Sequence, residues 1–239
     1  MQQFIRTEMM LGRQAMERLS KAHVIVFGIG GVGSYAAEAL ARAGVAALTL
    51  VDNDTISESN INRQLCALHS TVGQYKSDVM AARVRDINPA CSVTSMPELY
   101  NEERKELFFS QSYDYIVDAI DLVSCKLSLI QTAKERGIPI ISAMGTGNKL
   151  DPSRFAITDI SNTSGCKLAR VVRRELRARG ITQHTVLFSD EPPCTPLPLE
   201  TPPPGRRSVP ASVSWVPSCA GLMLAGYVIR ELTHPQGCA

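Results

Sequence analysis

From Lys21 onward the chain alternates two kinds of apolar pattern. The first is a short continuous run. His23 to Phe27 reads His-Val-Ile-Val-Phe, with none of the in-out alternation of a half-exposed strand, so it predicts a strand covered on both faces. Leu48 to Val51, Tyr115 to Val117 and Ile138 to Ala143 repeat that pattern, and Ser92 to Met96 is a weaker version. The second kind is longer, with apolar positions three and four apart. It predicts helices over Ser34 to Ala43, Lys76 to Asp86, Asn101 to Phe109 and Cys125 to Arg136. Asn88-Pro89 stops the second of these helices and Gly137 the last. Strands alternating with helices in this order imply a parallel, doubly wound α/β sheet of Rossmann-like form.

After Gly147 the pattern changes. A strand is predicted near Phe155 to Ile160, a basic helix over Lys167 to Arg179 and a strand over Thr185 to Phe188. Eight of the fourteen prolines lie between Asp190 and Pro210, which rules out regular helix or interior strand there and predicts a long loop. An apolar helix over Ser218 to Leu232, with Pro217 at its start, closes the chain.

Composition narrows the class. The 239 residues are 44% hydrophobic and 20% charged, with a net charge of +2, which describes a globular core and no general polyanion-binding surface. No apolar run reaches the roughly 18 residues that span a bilayer, and the N-terminus has no apolar signal core, so a cytoplasmic protein without a membrane partner is expected. The seven cysteines are scattered without a C-x-x-C pair, against both a disulfide framework and a paired-cysteine zinc site. The four histidines, His23, His69, His184 and His234, are equally dispersed.

Gly28-Ile29-Gly30-Gly31-Val32-Gly33 joins the first strand to the first helix. Glycines there allow a tight turn and a close approach of ligand to backbone, and the helix N-terminus offers free N–H groups to a phosphate. Asp52 ends the second strand 19 residues later, placed to accept hydrogen bonds from a ribose. This alone does not separate a dinucleotide from ATP. The polar loop that follows, Asp52 to Gln64, does. It ends in Asn60-Ile61-Asn62-Arg63-Gln64, for which a hydride-transfer enzyme has no chemical need, whereas a polyphosphate needs the paired donors of a guanidinium. Lys76 supplies a second cation. Asp121 lies just past the strand ending at Asp118, where oxygen ligands can hold Mg²⁺, and is preferred to Asp118 for that role.

Taken together, G-x-G-G-x-G, D-x-D-x-[IV]-x-x-S-N-x-N-R-Q and V-G-x-x-K resemble the ubiquitin-activating-type (ThiF/MoeB/HesA-like) adenylyltransferase superfamily. The opening Phe4-Ile5-Arg6-Thr7-Glu8-Met9-Met10-Leu11-Gly12 is similar as well. The strings GVGSYAAEALARAGV, NINRQLCALHSTVGQ, VDAID, LDPSRFAITDISNT, FSDEPP and SVSWVPSCAGL resemble the branch that dehydrates threonylcarbamoyladenosine at position 37 of tRNA. The resemblance implies ATP and Mg²⁺, attack of a substrate carboxylate on the α-phosphate, and ring closure with loss of AMP. It implies catalytic roles for Arg63, Lys76 and Asp121, with Asp121 the metal ligand. It implies nucleotide binding by Gly28, Gly30, Gly31, Gly33, Asp52, Asp54, Asn60 and Gln64, and a homodimer in which Arg6 serves the partner's site. The runner-up activity is adenylation of the C-terminal glycine of a small sulfur-carrier protein, and a sulfur-carrier or cysteine-desulfurase-type partner goes with the superfamily. The sulfur-carrier activators often have two C-x-x-C pairs, absent here, and an asparagine where this chain has Leu122.

The expected organisation is an ATP-binding adenylation domain over residues 1–150 and a C-terminal extension over 151–239, continuous with it, for tRNA and dimer contacts. Lys167, Arg170, Arg173, Arg174, Arg177 and Arg179 stand against the single acid Glu175 in the basic helix. Such a run is often just a solvated face. If tRNA is the substrate, it and Arg206-Arg207 are the natural phosphate contacts. Cys166 lies where sulfur-transferring relatives keep a catalytic cysteine, but is expected to be an incidental thiol. Trp215 is expected to anchor core or loop rather than stack on a base.

Overall fold

The computed structural model describes residues 2–200 and 209–233. The expected strands form as β1 (His23–Phe27), β2 (Ala47–Val51), β3 (Ser92–Met96), β4 (Tyr115–Asp118), β5 (Ile140–Ala143), β6 (Phe155–Asp159) and β7 (Thr185–Ser189). They make one seven-stranded sheet in the order β3-β2-β1-β4-β5-β7-β6, parallel throughout except for the antiparallel β6–β7 pair. The chain therefore leaves β1 toward one edge, then returns at β4 to build the other side. That reversal opens a crevice at the carboxyl ends of β1 and β4, where open α/β sheets bind ligands.

The helices, with α1 and α2 ahead of β1, are α1 (Ile5–Leu11), α2 (Arg13–Leu19), α3 (Gly33–Ala43), α4 (Lys76–Ile87), α5 (Lys105–Phe108), α6 (Val123–Glu135), α7 (Lys167–Ala178) and α8 (Trp215–Thr233). The side chains of β1 explain its unbroken apolar run. Val24 and Val26 face one core with Ala36, Ala37 and Leu40 of α3 and Leu224 and Val228 of α8. Ile25 and Phe27 face the other, with Phe108, Leu129 of α6 and Val172 of α7. Buried Glu38 ties α3 to α4 by accepting two hydrogen bonds from Arg83, at 2.7 and 3.0 Å. The C-terminal α8 crosses the start of α3 so closely that a Cβ at Gly221 would lie 2.2 Å from the Val32 carbonyl oxygen.

Several elements differ from the sequence pattern. The pattern assigns no helix before Lys21, yet α1 and α2 form there, with only Phe4, Ala15 and Leu19 buried between them and the body. So few buried positions leave little periodicity to read. The predicted helix over Asn101 to Phe109 shrinks to the single turn of α5. The strand predicted from Ile138 begins at Ile140, and α6 begins at Val123, two residues before the predicted start. Helix α8 begins at Trp215, which puts Pro217 inside its first turn. That is harmless because first-turn N–H groups have no partner within the helix. Arg206, Arg207, His234 and Cys238 lie outside the described residues. No helix among the described residues is long and apolar enough to cross a membrane.

One buried histidine sets a pH limit on stability. His184 is 1% exposed; its Nε2 is 2.8 Å from the Ser142 hydroxyl, and Nδ1 has no partner among the described residues. Burial pulls its pKa from the ordinary 6.5 down to about 3, with Lys134 and Lys126 adding to the effect. Between those values the unfolded chain binds the proton and the folded chain does not, so stability falls as pH drops below 6.5. The parent should lose about 2 kcal/mol more than His184→Gln between pH 7 and pH 5, measured by urea unfolding at both pH values.

Candidate functional site

The turn after β1 is set by steric necessity at two glycines. Gly28 has φ +85°, and a Cβ there would lie 2.7 Å from the Ala119 carbonyl oxygen. A Cβ at Gly33 would lie 1.8 Å from the Gly28 carbonyl oxygen. Only glycine allows the strand to fold directly onto the helix start, and this aims the N-terminus of α3 into the crevice. Asp52 locks the turn from the end of β2. Its carboxylate accepts from the Ile29 N–H at 2.6 Å and from the Asp54 N–H at 2.9 Å. Burial raises its pKa, while the Lys76 charge and these N–H groups oppose the rise.

The polar loop carries its cations on a scaffold of its own. The Asn60 side chain accepts from the Ser57 N–H at 3.1 Å and closes a short helical turn. That turn presents Arg63, whose Nη1 donates to the Ser59 carbonyl at 2.7 Å and to Asn62 Oδ1 at 2.8 Å. Burial lowers the Arg63 pKa from its ordinary value, opposed by Glu200. Gln64 is 8% exposed, and its Oε1 has no hydrogen-bond partner among the described residues. A buried amide oxygen in that state is costly without a ligand or water. A short antiparallel bridge, Thr55 with Tyr75, brings Lys76 under the loop. Lys76 is 6% exposed and pairs with Asp54 at 2.7 Å.

Asp118 and Asp121 have separate positions. Asp118 is wholly buried, paired with equally buried Lys126 at 2.7 Å, and accepts from the Ile120 N–H at 3.1 Å. It holds the loop after β4 from beneath. Asp121 is exposed at the cavity wall.

These parts surround a cavity of about 880 Å³. Of the residues singled out in the sequence, Gly28, Gly30, Gly31, Asp52, Asp54, Asn60, Arg63, Gln64, Lys76 and Asp121 line it. Gly33 stands behind the wall, acting through the turn. Arg6 is exposed on α1, outside the cavity lining of its own chain. Other parts of the wall, which the sequence does not single out apart from Cys166 and Lys167, come from Gly145 to Lys149, Gly165 to Leu168 and Pro210 to Ser212. The signal for the first of these was present: Gly145-Thr146-Gly147-Asn148 directly follows β5, at the ligand-binding edge. The signal for Ser212 was not, since only folding brings it there.

The remaining candidates sort by contact. Arg173 of α7 turns inward to the Thr163 carbonyl and hydroxyl, both at 2.7 Å, so it is not available for a polyanion. Arg174 and Arg179 pair with Glu175. Lys167, Arg170, Arg174 and Arg177 are exposed on α7, and Lys167 at its start is part of the cavity wall. The Cys166 sulfur also reaches the wall and accepts from the Ala169 N–H at 3.4 Å. The Cys66 thiol, by contrast, is pushed up to about 11 by burial and is inert. The Trp215 indole N–H donates to the Leu150 carbonyl at 2.8 Å, a loop anchor as expected. No group of three or more His, Cys, Asp or Glu among the described residues could hold a metal ion on its own.

Comparison with known proteins places this geometry. The ThiF family model matches residues 4–237. The tRNA threonylcarbamoyladenosine dehydratase of Bacillus subtilis is 45% identical over 96% of this chain and 94% of its own length. The solved E. coli tRNA N6-threonylcarbamoyladenosine dehydratase in complex with ATP is 33% identical with a TM-score of 0.87, over 97% of this chain and 93% of that one. The same enzyme in complex with AMP is 33% identical with a TM-score of 0.88, over 97% and 94%.

The glycine turn can be tested by stability alone. Gly33→Ala drives a methyl into the Gly28 carbonyl, whereas at Gly30 the nearest group is the flexible Gln64 side chain at 3.8 Å. Gly33→Ala should cost more than about 3 kcal/mol and Gly30→Ala less than about 1 kcal/mol, read from urea unfolding midpoints.

Proposed function

Because the chain belongs to the ThiF family, we propose that it is an ATP-dependent dehydratase of threonylcarbamoyladenosine at position 37 of tRNA. The observation that carries this reading is the cavity in which the glycine turn, Asp52, Gln64, Arg63 and Lys76 meet. The turn and Asp52 hold the nucleoside and α-phosphate end of ATP. Arg63, Lys76, Asn60 and Gln64 face its phosphates, and the unpartnered Gln64 amide oxygen suits a polar ligand or bound water. Lys76 exchanges its Asp54 partner for phosphate oxygen when ATP enters.

The substrate carboxylate attacks the α-phosphorus, an O–P bond forms, and the bond to pyrophosphate breaks. A nucleophile already on the modified adenosine then attacks the activated carbonyl, loses its proton and expels AMP. The net change is loss of one water from the nucleoside and hydrolytic cleavage of ATP to AMP and pyrophosphate. Arg63 stabilises the charge that moves onto the leaving pyrophosphate. Asp121 would hold Mg²⁺ there together with phosphate oxygens and water, an environment that one carboxylate beside a polyphosphate commonly provides. The ion would supply further positive charge at the same place.

The exposed residues Lys167, Arg170, Arg174 and Arg177 meet the tRNA backbone, within an extension (151–239) that completes the adenylation domain (1–150). The active form is a homodimer in which Arg6, outside its own cavity, reaches the partner's nucleotide. The six described cysteines are all free, in keeping with work in a reducing cytoplasm.

Cys166 at the wall supports a second reading, activation of a sulfur-carrier protein through a thioester. Nucleoside mass spectrometry after incubating modified tRNA with the protein and Mg-ATP separates the two. The product should be lighter by one water, with AMP formed alongside. Unchanged nucleoside, with AMP–carrier chemistry that depends on Cys166, would replace the first reading with the second.

Arg63→Ala should lower AMP formation by ~10²–10³ with a smaller effect on ATP affinity. Arg63→Lys should recover little, because an ammonium cannot make the paired contact. Mixed Arg6→Ala and Arg63→Ala protomers should regain activity if sites are shared. Arg170→Ala and Arg177→Ala should weaken tRNA binding and spare turnover at saturating tRNA. Each should also flatten the log–log salt dependence of binding by about one unit for every phosphate it no longer neutralises.

A further inference from the structure

Arg63 is a long side chain at the cavity wall, and its direction depends on what its guanidinium touches. One partner is the Ser59 carbonyl of its own loop. The other is the side-chain oxygen of Asn62 at 2.8 Å. Asn62 belongs to the Asn-x-Asn-Arg-Gln run but does not line the cavity. An amide can present its oxygen to Arg63 only if its NH₂ points the other way, and that NH₂ donates to the Ser212 carbonyl at 3.0 Å. The flipped amide would set NH₂ against guanidinium and oxygen against carbonyl, two repulsive contacts in place of two hydrogen bonds. The Ser212 carbonyl therefore decides which way Asn62 faces.

Ser212 is itself held by its neighbours in the cavity wall. The preceding residue, Ala211, pairs twice with Asn148. The Asn148 N–H donates to the Ala211 carbonyl at 2.8 Å, and the Ala211 N–H donates to Asn148 Oδ1 at 2.7 Å. Asn148 adopts φ 59°, the left-handed region that asparagine tolerates, and its carbonyl accepts from the Cys194 N–H at 2.8 Å. It lines the same cavity as Arg63.

We infer that Asn62 is a positioning residue, and that the chain of contacts Asn148–Ala211–Ser212–Asn62 ties the aim of Arg63 to the wall where the acceptor nucleoside binds. The inference rests on the reading of Arg63 given above. Its consequence is that seating the acceptor and aiming the charge-stabilising guanidinium are one mechanical event. ATP cleavage is thereby matched to the presence of a carboxylate to receive the adenylyl group.

The test uses Asn62→Ala, Asn148→Gly, Asn148→Asp and the double variant Asn62→Ala/Asn148→Gly in the full chain. Glycine keeps the left-handed backbone and the N–H to Ala211 while removing the accepting oxygen; aspartate keeps that oxygen. Asn62→Ala and Asn148→Gly should each lower kcat for AMP formation roughly 10- to 100-fold, with KM for ATP within about twofold of the parent. The double variant should be no worse than the poorer single one, because the two act in series. Asn148→Asp should recover most of the kcat lost in Asn148→Gly, because it restores the oxygen that accepts from Ala211. A second readout needs no substrate: the Arg63 guanidinium NMR signal, assigned through Arg63→Lys, should shift in Asn148→Gly and return in Asn148→Asp.

Multiplying losses in the double variant, or an Arg63 signal unmoved in folded Asn148→Gly, would overturn the relay. If Asn62→Ala fails to fold, the Asn148→Gly and Asn148→Asp pair decides the question alone. A parent that makes no AMP with modified tRNA would sink the functional reading instead, and the NMR comparison would still judge the relay.

Discussion

The tightest constraint on side-chain volume at any described glycine is at Gly33, where a Cβ would lie 1.8 Å from the Gly28 carbonyl oxygen. With Gly33 pressed against the Gly28 carbonyl, β1 passes into α3 without an intervening loop, and the helix N-terminus has one possible direction. The other site elements take their places from that turn. Asp52 reaches it through the Ile29 N–H, and the backbone after β4 lies against Gly28. Helix α8 packs on the start of α3 through Gly221, which brings Pro217 to 3.1 Å from where a Gly31 Cβ would be. A side chain at any of these glycines would push apart layers whose spacing also defines the cavity.

Charge is distributed around this turn in a graded way. Beneath the site, Asp118 and Lys126 are fully buried and satisfied by each other. Such a pair adds little net stability, because desolvation offsets its attraction, yet losing one member typically costs about 3–5 kcal/mol. It serves to hold the loop that carries Asp121. One layer out, Lys76 is buried but paired with Asp54, whose side chain is 62% exposed, so the partner can be exchanged without stranding a charge. At the wall, Arg63 hydrogen-bonds to neutral oxygens, and the charge of Glu200 acts on it only through space. The gradient runs from fixed structural charge to charge available for an anion.

The C-terminal extension is part of the site rather than an appendage. Lys149, almost wholly buried, donates to the Glu191 carbonyl at 2.6 Å, and the Glu191 carboxylate accepts from the Leu150 and Asp151 N–H groups. With Asn148 and Trp215, these bonds fasten residues 148–151 to the chain on both sides of the proline-rich stretch. The result is a part of the cavity wall built from segments that are far apart in sequence.

The sheet and the part of the cavity built on the glycine turn and the Asp52–Gln64 loop were legible because their signals are local. Continuous apolar runs mark strands buried on both faces, glycine at a strand–helix junction has few steric alternatives, and Asp52 to Gln64 is one unbroken stretch of chain. Helices α1 and α2 were not legible, since their hold on the body rests on a few buried side chains. The preference for Asp121 over Asp118 could be read from its place past the strand end, but the buried Lys126 that pairs with Asp118 could not, since a sequence does not mark a lysine as inward-facing. The other parts of the cavity wall, the inward turn of Arg173 and the tie from Asn148 through Ser212 to Asn62 depend on contacts across long separations. Polar residues in loops carry no periodicity, so only the folded chain could decide which of them meet.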